Sequence, residues 1–149
     1  MNSVKVEKQV TIKASARKVF AFISKPQNMT VVIPHILRNY NITKGPIKPG
    51  WKFDWEVVMM GIPFRGTWII DEYAPPRTYV SHTTGISSKW SYNFTEKNKN
   101  TQVRLRVEYI LPRTILSKFA QPVVRAVNEK DVARFLTNLK IVLEASKSQ

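Results

Sequence analysis

The chain has 149 residues, with 24 Lys and Arg against 10 Asp and Glu, a net charge of +14. That length suits one domain with one core, and a hydrophobic share of 43% excludes a disordered or low-complexity chain. The lack of cysteine excludes disulfides, thiolate metal sites, iron–sulfur clusters and a cysteine nucleophile.

The two histidines, His35 and His82, are too few for a histidine-rich metal site, so neither a metal nor a cofactor is expected. Met1 to Val10 carries Lys5, Glu7 and Lys8 and has no apolar segment of the kind a secretory signal needs. The longest near-apolar run, Val57 to Phe64, is too short to span a bilayer and contains Gly61 and Pro63. The expectation is a soluble, cytoplasmic domain covering 1–149. Its charge favours polyanions, which leaves a weak contact with an anionic membrane or a nucleic acid open. The basic residues are scattered along the chain, and no zinc-finger, basic-zipper or aromatic RNA-binding pattern is present. No specific protein partner is indicated.

In chain order, Val4, Val6, Val10 and Ile12 alternate with polar residues, the period of a strand with one wet face. Ser15 is a good N-cap for a helix carrying Val19, Phe20, Phe22 and Ile23. Pro26 stops that helix or opens a second short one, from about Gln27 to Ile33, which Pro34 ends. Strands are then expected over Ile36 to Thr43, Trp51 to Met59, Phe64 to Tyr73, Arg77 to Thr84, Ser88 to Thr95 and Val103 to Tyr109. Gly61, Pro75-Pro76, Gly85 and Asn98-Lys99-Asn100 mark the turns between the later ones. From Arg113 to Ser146 the chain reads as helix. One apolar stripe runs Ile115, Leu116, Phe119, Val123, Val124, Val127, and a second runs Val132, Phe135, Leu136, Leu139, Val142, Leu143. The second is rotated from the first by roughly 100°, and Pro122 marks either a kink or a new helix.

This order predicts an α+β domain. A curved seven-stranded antiparallel sheet wraps a long C-terminal helix, with two short helices between strands one and two. Whatever the helix does not fill becomes a cavity. The pieces Val10 to Ser15 with Val19 to Ile23, Pro49-Gly50-Trp51, Pro75-Pro76-Arg77, Tyr109 to Pro112 and Asn138 to Glu144 carry a resemblance to the START-related superfamily, also called SRPBCC or helix-grip proteins. That group includes polyketide cyclases, lipid-transfer domains and plant pathogenesis-related allergens. The resemblance covers nearly the whole chain and implies the helix-grip fold. It does not imply one activity, because the superfamily holds binders, carriers and a few enzymes.

No nucleophile elbow, phosphate loop, dinucleotide fingerprint or zinc-protease motif is present. Asp54 and Glu56 share one strand face, but their neighbours Trp55 and Val57 claim the buried side, so the pair reads as a solvent-face ion-pair site. His82 enters the cavity if Val80, His82 and Thr84 point inward. His35, after Pro34, reads as surface. Trp55, Trp68, Trp90, Tyr92 and Tyr109 all fall on expected inward faces, as an apolar ligand pocket requires. In an antiparallel meander, successive turns alternate between the two ends of the sheet. The end that gathers Met59, Met60, Ile62 and Phe64 with the Gly85-Ile86 turn is apolar, and the other is polar. The resemblance places the cavity mouth at this apolar end, where Phe119, Val123 and Val127 are expected to complete the rim. The leading reading is a protein that binds or carries a hydrophobic or amphipathic small molecule, a lipid or a polycyclic aromatic. Two others stay open: a cyclase or hydratase using a cavity His or Tyr, and a basic protein acting through its surface.

Overall fold

The computed structural model describes residues 3–145. Alternating β1 (Ser3–Ile12) leads into α1 (Ala16–Ile23) and α2 (Pro26–Val32). The strands β2 (Ile36–Tyr40), β3 (Lys52–Met59), β4 (Ile62–Ala74), β5 (Thr78–Thr83), β6 (Ser88–Lys97) and β7 (Asn100–Ile110) follow. A single turn of helix, α3 (Arg113–Leu116), and the long α4 (Gln121–Ala145) close the chain. The seven strands form one antiparallel sheet in the order β1-β7-β6-β5-β4-β3-β2. This is the helix-grip arrangement: each strand pairs with its sequence neighbour, except that β1 joins the far end against β7.

Local chemistry sets the boundaries. Ser15 caps α1, its side chain accepting from Lys18 N at 3.2 Å, and Pro26 opens α2, where a missing N–H costs nothing. β2 stops at Tyr40, short of the expected Thr43, because Asn41 turns out of the strand with φ of 50°. Met60 and Gly61, both with positive φ, make a two-residue hairpin turn, so β4 starts at Ile62 rather than Phe64. The β6–β7 tip is made the same way by Asn98 and Lys99.

The inner face of the sheet reads across strands in rows. One row runs Phe53, Trp68, Thr83, Ser88, Tyr109 and Val4, and the next runs Ile70, Ser81, Trp90, Val107 and Val6. α4 lies against them with Val124, Asn128, Val132, Phe135, Leu136, Leu139 and Leu143 buried, one continuous stripe at helical spacing. The expected two rotated stripes are therefore corrected. Ile115, Leu116 and Phe119 belong to α3 and the turn after it. Val123 is exposed, and the buried face passes through the polar Asn128 rather than Val127. Pro122 sits in the first turn of a new helix. The far end of α4 is tied down by Glu144 Oε2 accepting from Lys13 N at 2.9 Å and by Lys140 Nζ donating to Thr11 O at 2.8 Å. Ser146, the expected helix end, lies outside the described residues. Among the described residues, no helix is long and apolar enough to cross a membrane.

Candidate functional site: an aromatic-walled cavity

The inner rows leave a cavity of about 100 Å³ between the sheet and α4. Its sheet wall is built by the side chains of Trp55, Trp68, Thr83, Ser88, Trp90 and Tyr109, and its helix wall by Asn128, Asp131, Val132 and Phe135. The latter four fall at i, i+3, i+4 and i+7, so one face of α4 presents them together. Ile86 closes one side. The connection from Ile33 to Ile36 and the end of β3, Val57 to Met59, close the other. The rings are held by one another. Trp68 stacks on Phe53 at 5.8 Å with planes 10° apart, and its centroid lies 5.0 Å from that of Trp90. Phe135 of α4 sits 6.4 Å from Trp90. Each such contact adds about 0.5–1.5 kcal/mol beyond area burial, so these walls are fixed rather than fluid.

Gly66 makes room for this arrangement. A Cβ there would lie 1.9 Å from the Thr84 carbonyl oxygen and 2.7 Å from Trp55 Cζ2. The Trp55 ring therefore occupies the space that a side chain on the neighbouring strand would take.

Away from the mouth, two sets of polar groups stand out in the cavity. In the first, the Trp90 indole N–H donates to Ser88 Oγ at 3.1 Å, Ser88 and Thr83 share a hydroxyl hydrogen bond, and Thr83 Oγ1 donates to the Ile86 carbonyl. That chain leaves no donor free. In the second, Trp55 Nε1 and Asn128 Nδ2 are buried with no partner. An unmatched buried donor costs about 1–3 kcal/mol, so two in one chamber, one on each wall, need an explanation.

At the mouth, His35 Nε2 lies 3.5 Å from Asp131 Oδ1. His35 takes φ of 70°, uncommon for a residue with a Cβ, and its carbonyl accepts from Val58 N at 3.0 Å, which pins the connection to β3. Burial holds the Asp131 carboxyl above the ordinary range, opposed by His35, Arg134 and Lys130. Burial, and then the nearby Asp131 charge, push the Tyr109 hydroxyl well above the ordinary phenol range. A half-exposed imidazole, a partly buried carboxylate and a neutral phenol thus meet at the edge of an apolar chamber. Among the described residues, no group of three His, Cys, Asp or Glu side chains is placed to hold a metal.

Of the residues singled out in the sequence, Trp55, Met59, Trp68, Trp90 and Tyr109 line the cavity. Tyr92 lies deeper and, with Trp68, lines a second void of about 10 Å³, roughly one water in size. Met60, Ile62, Phe64 and Phe119 are half-buried against the core but off the cavity wall. Val123 is exposed, and Val127 is off the wall as well.

His82 is corrected. It points to the outer face, where its Nδ1 sits 2.8 Å from the Asp71 carboxylate, while Tyr79, Ser81 and Thr83 point inward. The stretch Tyr79-Val80-Ser81-His82-Thr83 has no clean two-residue period, so the side it buries is not readable from pattern. Cross-strand pairing decides it: Thr83 pairs with Trp68 and Ser81 with Ile70, both of which face the core, while His82 pairs with Ile69. His35, read as surface, is exposed yet stands at the mouth. It and Asn128 and Asp131 were missed because no local pattern links a loop histidine to a helix far along the chain. The polar Asn128 inside an apolar stripe was the one available signal.

A family profile described as "Polyketide cyclase / dehydrase and lipid transport" matches residues 3–144. Among solved structures, TTHA0849 from Thermus thermophilus superposes with a TM-score of 0.81 at 16% identity, covering 95% of this chain and 98% of that one. The Zhui aromatase/cyclase of Streptomyces sp. R1128 gives 0.71 at 17% identity, covering 95% and 94%. A START superfamily protein of Mycobacterium smegmatis gives 0.77 at 11% identity, covering 95% and 97%. At these identities the likeness is one of fold. No curated protein matches the sequence significantly.

Proposed function

Since the chain belongs to the polyketide cyclase/dehydrase and lipid transport family, we propose that it binds a hydrophobic or amphipathic small molecule in the cavity and carries or sequesters it. The observation that supports this reading is the chamber of about 100 Å³ walled by Trp55, Trp68 and Trp90. Apolar walls with a few placed polar groups suit ligand recognition. For scale, an engineered protein cavity of about 150 Å³ takes up benzene. The chamber is somewhat smaller than that and open at its mouth, so it takes at most a single ring or the end of a chain. A lipid or a polycyclic aromatic extends through the mouth past His35 and Met59, where the flexible thioether can repack. The test is native mass spectrometry of the purified protein for a retained ligand, with titration of apolar ligands followed by tryptophan fluorescence. Saturable quenching supports the reading. No retained mass and no fluorescence change with any apolar ligand would overturn it.

The His35–Asp131 contact favours a second reading, proton transfer on the bound molecule, with His35 as general base and Asp131 orienting it. It replaces the role considered for His82. Its test is solvent deuterium uptake at a carbon next to a bound carbonyl. That uptake is expected to vanish in His35→Gln, and no uptake in the wild type would remove this reading.

A further inference from the structure

We infer that the cavity is built for a ligand presenting a neutral hydrogen-bond acceptor, a ketone or similar carbonyl, to Trp55 and Asn128. This rests on the small-molecule reading above and deepens it. Trp55 is 3% exposed and Asn128 4%, and the indole Nε1 of one and the amide Nδ2 of the other are both without a partner. They stand on opposite walls, Trp55 on β3 and Asn128 on α4, at one chamber. Of the other polar wall groups, the Trp90, Ser88 and Thr83 chain is engaged and ends on the Ile86 carbonyl, and the Tyr109 hydroxyl lies near the Asp131 charge towards the mouth. An indole nitrogen can only donate, so the missing partner must accept.

Charge narrows the acceptor further. No lysine or arginine lines the chamber, and its charged residues, Asp131 and His35, stand at the mouth. An anionic head would be buried without a cation on the wall and near the Asp131 carboxylate, a costly placement. A neutral carbonyl avoids that cost and satisfies both donors. Asn128 also interrupts an otherwise apolar stripe between Val124 and Val132, at a position where a leucine would pack and the amide nitrogen has no partner in the protein.

The experiment compares three probes of similar shape: cumene, acetophenone and benzoate. Each is titrated into the full chain by calorimetry and tryptophan fluorescence, in wild type, Trp55→Phe and Asn128→Leu. Both variants keep the bulk of the replaced side chain, and thermal melts confirm that each folds. Because acetophenone is the more water-soluble of the first two, the quantity read is the acetophenone-to-cumene affinity ratio. It is expected to fall about fivefold in each variant, the loss of one net hydrogen bond, while cumene affinity holds or rises. Benzoate is expected to bind at least tenfold more weakly than acetophenone. If one variant fails to fold, the other decides. An unchanged ratio would overturn the inference while leaving the small-molecule reading intact, because a bound water then serves the two donors. Benzoate binding as tightly as acetophenone would overturn the neutral acceptor. If none of the three binds at millimolar concentration, the small-molecule reading falls and takes this inference with it.

Discussion

His35 Nε2 sits 3.5 Å from Asp131 Oδ1, joining the connection between α2 and β2 to the middle of α4 across the mouth of the cavity. The contact brings a loop and a helix together at the place where a ligand would pass, and it leaves Asp131 partly desolvated. Burial raises the Asp131 carboxyl above its ordinary value of 3.8 by more than His35, Arg134 and Lys130 together lower it. A folded carboxyl that holds its proton more tightly than the unfolded one loses stability as pH rises through the window from 3.8 to its raised value. Asp131→Asn is therefore expected to be more stable than wild type at pH 7, with the gain shrinking towards pH 4. Urea melts at the two pH values measure this. A variant less stable at pH 7 would show that the contact with His35 outweighs burial.

Gly66 is expected to tolerate no side chain. In Gly66→Ala the new methyl meets the Thr84 carbonyl and the Trp55 ring, and the Thr84 backbone, at the start of the β5–β6 turn, is held against β4 by its N–H donating to Thr67 O at 2.9 Å. The cost is expected at about 1–3 kcal/mol or above, together with a changed tryptophan emission as Trp55 is displaced. Gly61, with nothing within 4 Å of its Cβ position, is the control: Gly61→Asn suits the positive φ of 81° and should cost far less. Equal losses at both positions would show that the Trp55–Gly66 contact does not matter.

Leu139 is fully buried on the stripe by which the sheet grips α4. Leu139→Ala is expected to cost about 2–5 kcal/mol in chemical denaturation. A loss well below 1 kcal/mol would mean that this end of the helix is not held by the sheet.

The outer-face carboxylates are expected to be irrelevant to binding. Asp54 accepts from Asn41 Nδ2 and Thr67 Oγ1, each at 2.9 Å, and these two bonds hold its carboxyl below the ordinary range. Glu56 pairs with Arg38. Any stability the Asp54 contacts add is present above the ordinary Asp range and is lost as pH falls through the lowered value. Asp54→Asn with Glu56→Gln, and separately His82→Gln, should leave ligand affinity within a few-fold. A large loss with the fold intact in any of these would place the site on the wrong face of the sheet.

Much of the architecture was legible in the chain, for a local reason. Period-two alternation in β1, β3 and β7, the Ser15 cap, the break at Pro26 and the turn at Gly61 depend only on neighbours in sequence. They sufficed to order the strands and helices, and to expect a cavity between the sheet and a single long helix. The aromatic wall followed from the same alternation, because Trp55, Trp68, Trp90 and Tyr109 sit at inward phases of their strands. The tertiary structure decided the rest. The pairing of β5 with β4, Thr83 against Trp68 and Ser81 against Ile70, turned His82 outward. The α2–β2 connection, with His35, closed the mouth in place of the expected Phe119, Val123 and Val127. α4 buried its face through Asn128, which a hydrophobic pattern reads as a break in the stripe. Each of these depends on which groups meet across the cavity, and a pairing between residues distant in sequence leaves no periodic trace in the chain.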